Sequence, residues 1–354
     1  MNKTAVIFSP KYYQHNPGVD HPECAQRLRA IVNELKHGKI SNSKKWQFVN
    51  PEKASLENVE LVHGEEYIRL VEAVCRSGGG LLDLGDTEVS PQSFEVAFYA
   101  VGGTLKAVDL VMAGKYQNAF ALVRPPGHHA SKYRACGFCI FNNVAIAAKH
   151  LLQKFNLKKI LILDIDAHHG NGTQETFYDT DKVLFISLHE DPRDFPGTGF
   201  IDEIGEGEGL GYNVNIPLPY GTDDQIYLRA IGEIVKPIIL QYAPQFVLLS
   251  AGFDGHYTDP VANLSLTQKC YEQVFETALK IASEKCRGKL AAVLEGGYNL
   301  NVIGTMTATA IARMSGIQYG TREKNKTSKP NIAKQGEKVL REVKKVQRTF
   351  WSID

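Results

Sequence analysis

The chain has 354 residues, 43% of them apolar, and a formal charge of +1, enough for a sizeable core in one large or two ordinary domains. Its longest apolar stretch, IVKPIILQYAPQFVLLSAG (234–252), is broken by Lys236, Pro237 and Pro244, which excludes a clean membrane span; the start, NKTAVIF, lacks the basic and apolar regions of a secretory signal. A cytoplasmic protein with no membrane partner is expected, and its six scattered cysteines read as reduced thiols rather than a disulfide frame.

In chain order, TAVIF (4–8) reads as a buried strand and PECAQRLRAIVNELKHG (22–38) as an amphipathic helix, with GGG (78–80) a later loop. PQSFEVAFYAVGGTLKAVDLVMAG (91–114) is helical, AFALV (119–123) a strand, and FNNVAIAAKHLLQKF (141–155) helical again. KILILDID (159–166) and KVLFISL (182–188) are strands. GEGEGLG (205–211) is a turn and not a phosphate loop, since it opens no helix and Glu206 and Glu208 would repel phosphate. DDQIYLRAIGEIVKPIILQYA (223–243) and LTQKCYEQVFETALKIASEK (266–285) are helical; FVLLSAG (246–252) and KLAAVLE (289–295) are strands. This alternation predicts βαβ units: an α/β fold with a mostly parallel central sheet and helices on both faces.

One domain over 1–320 is expected, then a basic extension over 321–354. Residues 321–348 hold ten Lys/Arg against Glu323, Glu337 and Glu342, a balance of +7 that leaves about −6 on the rest. Such a tail can touch nucleic acid. The recurrence of Val339, Val343, Val346 and Phe350 favours instead an amphipathic helix packed on the domain.

Ligands of open parallel sheets sit beyond the carboxyl ends of the strands. LVRPPGHHA (122–130), LILDIDAHHGNG (161–172), LLSAGFDGH (248–256) and AVLEGGYN (292–299) all end there, delivering His128, His129, Asp164, Asp166, His168, His169, Asp254 and Tyr298 to one rim. Strand alternation puts Asp164, Asp166 and His168 on one side. With Asp254, Asp166 and His168 make an Asp₂His set, the three-ligand pattern of catalytic zinc. His128 and His129 are candidate general bases, with Asp164 and Asn171 as candidate orienting partners; an Asp partner favours the imidazolium more than an Asn does. Tyr298, behind two glycines, is a candidate oxyanion donor. Together these groups suit metal-assisted hydrolysis of an acyl group.

RPPGHHA, GFCIFNNVAIAA (137–148), LDIDAHHGNGTQ, SLHEDPRDFPGTG (187–199), SAGFDGHYTDP (250–260) and LEGGYN resemble the zinc-dependent histone deacetylase family, from about residue 4 to 316 and including HPE…RL at 21–28. RPPG and Asn171 are similar to its class II and bacterial acetylpolyamine amidohydrolase branch. The resemblance implies a three-layer arginase/deacetylase-like fold and one Zn²⁺ on Asp166, His168 and Asp254. His128 and His129 would be the paired bases and Tyr298 the oxyanion donor. Gly137, Phe138 and Phe195 would line a tunnel, with Asp86 at its rim. It also implies structural K⁺ near Asp164, Asp166, His168, Ser187 and Leu188, and another near Phe177, Thr180, Val183 and Tyr212. The implied partner is an acetylated lysine in a protein or peptide, or an acetylated polyamine, with homo-oligomerisation left open.

Three rivals are weaker. An arginase-like ureohydrolase needs DAHxD, and Gly170 stands where its extra carboxylate belongs. A hydrolase using Cys136 or Cys139 as nucleophile has no base oriented by GFCIF. A non-catalytic acetyl-binding module would have lost a base, a ligand or Tyr298. An acidic mouth would suit a polyamine, and Glu88, Glu190, Asp191 and Asp194 could supply one; Val261 departs from the glutamate of polyamine-selective relatives. His21, His63 and His189 read as capping or supporting residues, whereas His15, His37, His150 and His256 have no evident partner.

Overall fold

The computed structural model describes residues 3–320, 323 and 326–354. Its strands are β1 (Thr4–Ile7), β2 (Trp46–Val49), β3 (Gly80–Leu81), β4 (Glu88–Val89), β5 (Asn118–Ala121), β6 (Ile160–Asp164), β7 (Val183–Glu190), β8 (Asn213–Leu218), β9 (Phe246–Ala251) and β10 (Leu290–Leu294). Its helices are α1 (Ala25–His37), α2 (Leu56–Val59), α3 (Glu65–Arg76), α4 (Ser93–Met112), α5 (Asn143–Lys154), α6 (Asn171–Phe177), α7 (Asp224–Ala230), α8 (Lys236–Tyr242), α9 (Gln268–Cys286), α10 (Ile303–Met314) and α11 (Pro330–Gln347).

Eight strands form one sheet in the order β2-β1-β5-β10-β9-β6-β7-β8, and every pairing is parallel. β3 and β4 make a separate antiparallel ribbon. α4 and α5 pack together on one face of the sheet; α9 and α10 cover it from the other, with α1 against α10. Layers on both sides explain why β6, ILILD, is buried at every position and reads as a continuous apolar run. A single π turn, Ile231–Val235, joins α7 to α8 just before Pro237 removes a backbone donor.

The order of the strands builds the rim. β5, β10, β9 and β6 are consecutive neighbours in the sheet, and they are the four strands whose ends carry the motif residues. Their carboxyl-terminal loops therefore converge over the middle of the sheet.

Two strands of the sheet were not foreseen, β2 and β8, its two edges, and neither was the β3–β4 ribbon, which begins at Gly80 of the GGG expected as a loop. WQFV is short and half exposed, and NVNIPL mixes asparagines and a proline into its apolar positions. β8 is nevertheless buried except at Pro217, because α11 lies along it. The buried line of α11 is Gly336, Leu340, Val343 and Gln347, rotated from the expected stripe; Val339, Val346 and Phe350 are half-buried. Lys344 pairs with Glu233 at 2.8 Å and Arg229 with Glu337 at 3.3 Å. Trp351 donates Nε1–H to Gly211 O at 2.9 Å and meets Tyr212 edge-on at 5.6 Å. Residues 321, 322, 324 and 325 of the predicted extension lie outside the described residues.

Trp351→Ala removes this bond and the aromatic packing around it. It is expected to destabilise the fold by on the order of 2 kcal/mol, read as a lower midpoint in denaturant unfolding; an unchanged midpoint would make the end of the chain a passive appendage.

Candidate active site

Asp166 and His168 lie on the loop that leaves β6, and Asp254 on the loop that leaves β9; one ligand atom from each lies within 4.8 Å of the others. His168 Nδ1 is 2.9 Å from Asp254 Oδ2 and 3.4 Å from Asp166 Oδ1. Backbone amides hold the carboxylates: Gly296 N donates to Asp166 Oδ2 at 2.8 Å and Ala167 N to Asp254 Oδ1 at 2.9 Å. The close approach demands glycine. A Cβ on Gly252 would stand 2.1 Å from Asp166 Oδ2, and one on Gly296 would stand 2.6 Å from it and 2.7 Å from Asp254 Oδ2. β6 ends at Asp164, so Asp166 and His168 are gathered by the loop rather than by strand alternation. Asp164 stands apart from the set, accepting from Asp166 N at 3.1 Å.

The donor set suits a divalent cation. Asp166 and Asp254 are 1% and 0% exposed. Burial, with Asp166 alongside, pushes the Asp254 carboxyl up to about 7. Against burial, the bonds to both aspartates push His168 well above the usual imidazole value. Both shifts mark a buried, excess-negative set whose neighbouring groups favour a positive charge among them.

His128 and His129 follow β5, their rings 3.9 Å apart. His128 Nδ1 is 3.0 Å from Asp164 Oδ2, and His129 Nδ1 is 2.7 Å from Asn171 Oδ1. The two differ in charge. Burial opposes protonation of His128, but Asp164 overcomes it and raises the ring to about 10. Burial and then the His128 charge push His129 well below its ordinary value. The sequence reading missed Glu295, fully buried, whose Oε2 accepts from Gly127 N at 2.7 Å and fixes the turn before the histidines. Its position inside LEGGYN, at the end of β10, was the available signal.

Tyr298 is held from behind. Arg27 stacks on its ring at 4.7 Å and donates to Gly297 O at 2.6 Å, and Tyr298 N donates to Asp259 Oδ2 at 2.7 Å. Phe138 meets the Tyr298 ring edge-on at 5.7 Å; Phe195 meets His129 at 4.9 Å and His168 at 5.8 Å. Gly137 and Phe138 turn with φ of 53° and 67° between Cys136 and Cys139, whose backbones exchange hydrogen bonds of 3.3 and 2.9 Å. Thr87 Oγ1 accepts from Phe138 N at 3.1 Å, and Asp86 is exposed beside it, its carbonyl 3.2 Å from His21 Nε2. The Cys136 thiol is pushed up to about 11 by burial, and burial pushes the Cys139 thiol well above its ordinary value, which disfavours a thiolate nucleophile.

Of the residues assigned to potassium, Asp164 and Ser187 face each other across β6 and β7, with Leu188 next, and Thr180 N bonds to Phe177 O at 3.4 Å; Val183 opens β7, and Tyr212 O accepts from Phe185 N at 3.0 Å. Of the four carboxylates that could supply an acidic mouth, Glu88 and Asp194 are exposed, Asp191 is half-buried and Glu190 is buried. Glu190 is 5% exposed and bonded to Asn263, Asp191 is bound by Arg193, and Asp194 accepts from Tyr220 at 2.6 Å. Three of the histidines without an evident partner have one: His15 bonds Ser93 at 2.6 Å, His150 Asp109 at 2.8 Å and His256 Thr258 at 2.9 Å.

Comparison with known proteins agrees with this geometry. The histone deacetylase domain profile matches residues 21–314. The chain is 44% identical over 317 residues to a probable deacetylase of Archaeoglobus fulgidus, covering 89% of this chain and 87% of that protein. It is 33% identical over 305 residues to a histone deacetylase-like amidohydrolase of Pseudomonas aeruginosa, covering 86% and 78%. The crystal structure of the HDA15 HD domain superposes with a TM-score of 0.88 at 33% identity, covering 99% of this chain and 95% of that one, so the fold is the arginase/deacetylase fold. With a family profile spanning most of its length, this chain belongs to the histone deacetylase family of hydrolases.

Proposed function

We propose that this hydrolase is a zinc-dependent deacetylase that removes the acetyl group from the ε-amine of acetyl-lysine in proteins or peptides. The observation that carries it is the joining of one Asp₂His set to two histidines of opposite protonation beside Tyr298. The family is zinc-dependent in general. Zinc bound by Asp166, His168 and Asp254 supplies Lewis acidity to a water and to the acetyl carbonyl oxygen.

The chain's own groups divide the rest. His129, neutral and oriented by Asn171, takes the proton from the attacking water at Nε2, because Nδ1 is engaged by the amide. His128, cationic beside Asp164, stabilises the negative charge that develops and keeps His129 from charging early. The Tyr298 hydroxyl donates to the carbonyl oxygen as it becomes an oxyanion. The leaving amine receives its proton from His129. Phe138 and Phe195 offer apolar walls to the aliphatic stem of a lysine side chain, and Gly137 leaves the width for it. With Glu190 buried on Asn263 and Asp191 paired with Arg193, only Glu88 and Asp194 of these carboxylates stay exposed to meet the extra cations of a polyamine.

The direct test is kcat/KM of the zinc-loaded enzyme on an acetyl-lysine peptide and on an N-acetylated polyamine, side by side. The peptide is expected to be preferred; preference for the polyamine overturns the substrate assignment and leaves the deacetylase chemistry standing. Asn171→Asp gives His129 a carboxylate partner and raises its pKa, so the acid limb of the kcat/KM profile, lost as pH falls through that pKa, should move to higher pH. An unmoved limb would remove His129 as the base. Gly137→Ala places a Cβ 2.5 Å from His129 Cδ2 and 2.8 Å from Phe195 Cζ at φ 53°; kcat/KM should fall at least ~10-fold with zinc content kept.

A further inference from the structure

Glu190 ends β7 and is 5% exposed, and none of the roles above uses it. Asn263 pins it, donating N–H to Oε2 at 2.6 Å and Nδ2–H to Oε1 at 3.2 Å. Oε1 stands 4.0 Å from His168 Nε2, the ring nitrogen turned away from the two aspartates. Among the described residues no other acceptor faces that nitrogen.

The chemistry of a ligand histidine gives this arrangement a purpose. His168 Nδ1 lies 2.9 Å from Asp254 Oδ2 and 3.4 Å from Asp166 Oδ1, so it is the ring nitrogen that joins the carboxylate set. A cation shared by Asp166, Asp254 and His168 needs the Nδ1 lone pair, so the ring must carry its proton on Nε2. The side chain is 12% exposed, so an N–H there has little access to solvent, and Glu190 is the carboxylate that stands beside it. Glu190 Oε1 has one hydrogen bond and lone pairs to spare, and a closing movement of about 1 Å brings it into range of a charge-assisted bond.

We propose that Glu190 is a positioning residue for the metal centre: it accepts the Nε2 proton of His168, fixes the tautomer that presents Nδ1 to the cation, and raises the basicity of that nitrogen. This rests on the zinc reading of the Asp₂His set. Asn263 is its anchor, so the loop after β9 holds both a ligand, Asp254, and the support of a second ligand.

The test is zinc affinity, by chelator competition on full-length wild type, Glu190→Gln, Glu190→Ala and Asn263→Ala, with metal-free unfolding midpoints alongside. Glu190→Gln and Glu190→Ala should bind zinc ~10–100-fold more weakly, with Asn263→Ala between them and wild type and metal-free midpoints unchanged. The visible spectrum of the cobalt(II)-loaded Glu190→Gln protein should shift, because the donor strength of His168 falls. Wild-type zinc affinity in Glu190→Gln overturns the proposal. So does a loss of affinity matched by a loss of metal-free stability with an unshifted cobalt spectrum. Failure of the wild type itself to bind one zinc per chain would instead overturn the metal reading on which this rests.

Discussion

Four carboxylates, Asp164, Asp166, Asp254 and Glu295, lie at the carboxyl ends of three neighbouring strands, each at most 1% exposed. An uncompensated buried carboxylate costs several kcal/mol, so everything around them is arranged to supply positive charge or N–H dipoles. Backbone amides of Gly127, His128, Asp166, Ala167, His168 and Gly296 point at them, and two of the six donors are glycines. At Gly296 the requirement is steric, since a side chain there would occupy the space of two carboxylates. His128 answers Asp164 as an imidazolium. What remains is the negative face formed by Asp166 and Asp254, and a divalent ion is the economical answer to it.

The loops that meet this constraint need fixing in place, and a second buried charge cluster fixes them. Glu23 receives Arg124 at 2.7 Å and Arg27 at 2.9 Å, all three at most 1% exposed. Arg27 continues into the carbonyls of Glu295 and Gly297, behind Tyr298, while Arg124 continues into those of Tyr12, His15 and Glu23. Buried ion pairs of this kind add little net stability and a great deal of geometric definition. HPE…RL therefore contributes to the site without reaching the rim: its carboxylate and guanidinium tie the histidine turn to the tyrosine turn.

What the sequence made legible follows from where physics writes strongly. The six foreseen strands of the sheet lie inside it, buried on both sides, and so read as plain apolar runs. The edges β2 and β8 answer to only one neighbour, and their mixed composition hid them. At the rim, Asp166, His168 and Asp254 come together as the motifs implied, but the route differed, because the chain leaves the strand at Asp164. Partnerships across the fold were not legible. Glu190 with Asn263, 73 positions on, and Glu295 with Gly127, 168 positions back, depend on which loops share a neighbourhood, and no local pattern records that.

The histidine pair shows how one local substitution of partner sets direction in the site. Two imidazoles 3.9 Å apart cannot both carry charge without mutual repulsion, so their partners decide which one does. Asp164 takes the charge to His128, whose Nε2 lies 3.8 Å from Asp166 Oδ1, on the side of the Asp₂His set. Asn171 leaves His129 neutral, with its ring edge-on to Phe195. The cationic ring thus sits deep among carboxylates that stabilise it, and the neutral one borders the aromatic wall, where an apolar stem would not solvate a charge. Exchanging the partners would move the charge to the ring beside the aromatic wall and leave the neutral ring where carboxylates would protonate it. The chain order of Asp and Asn is therefore a consequence of the same constraint that gathers the carboxylates.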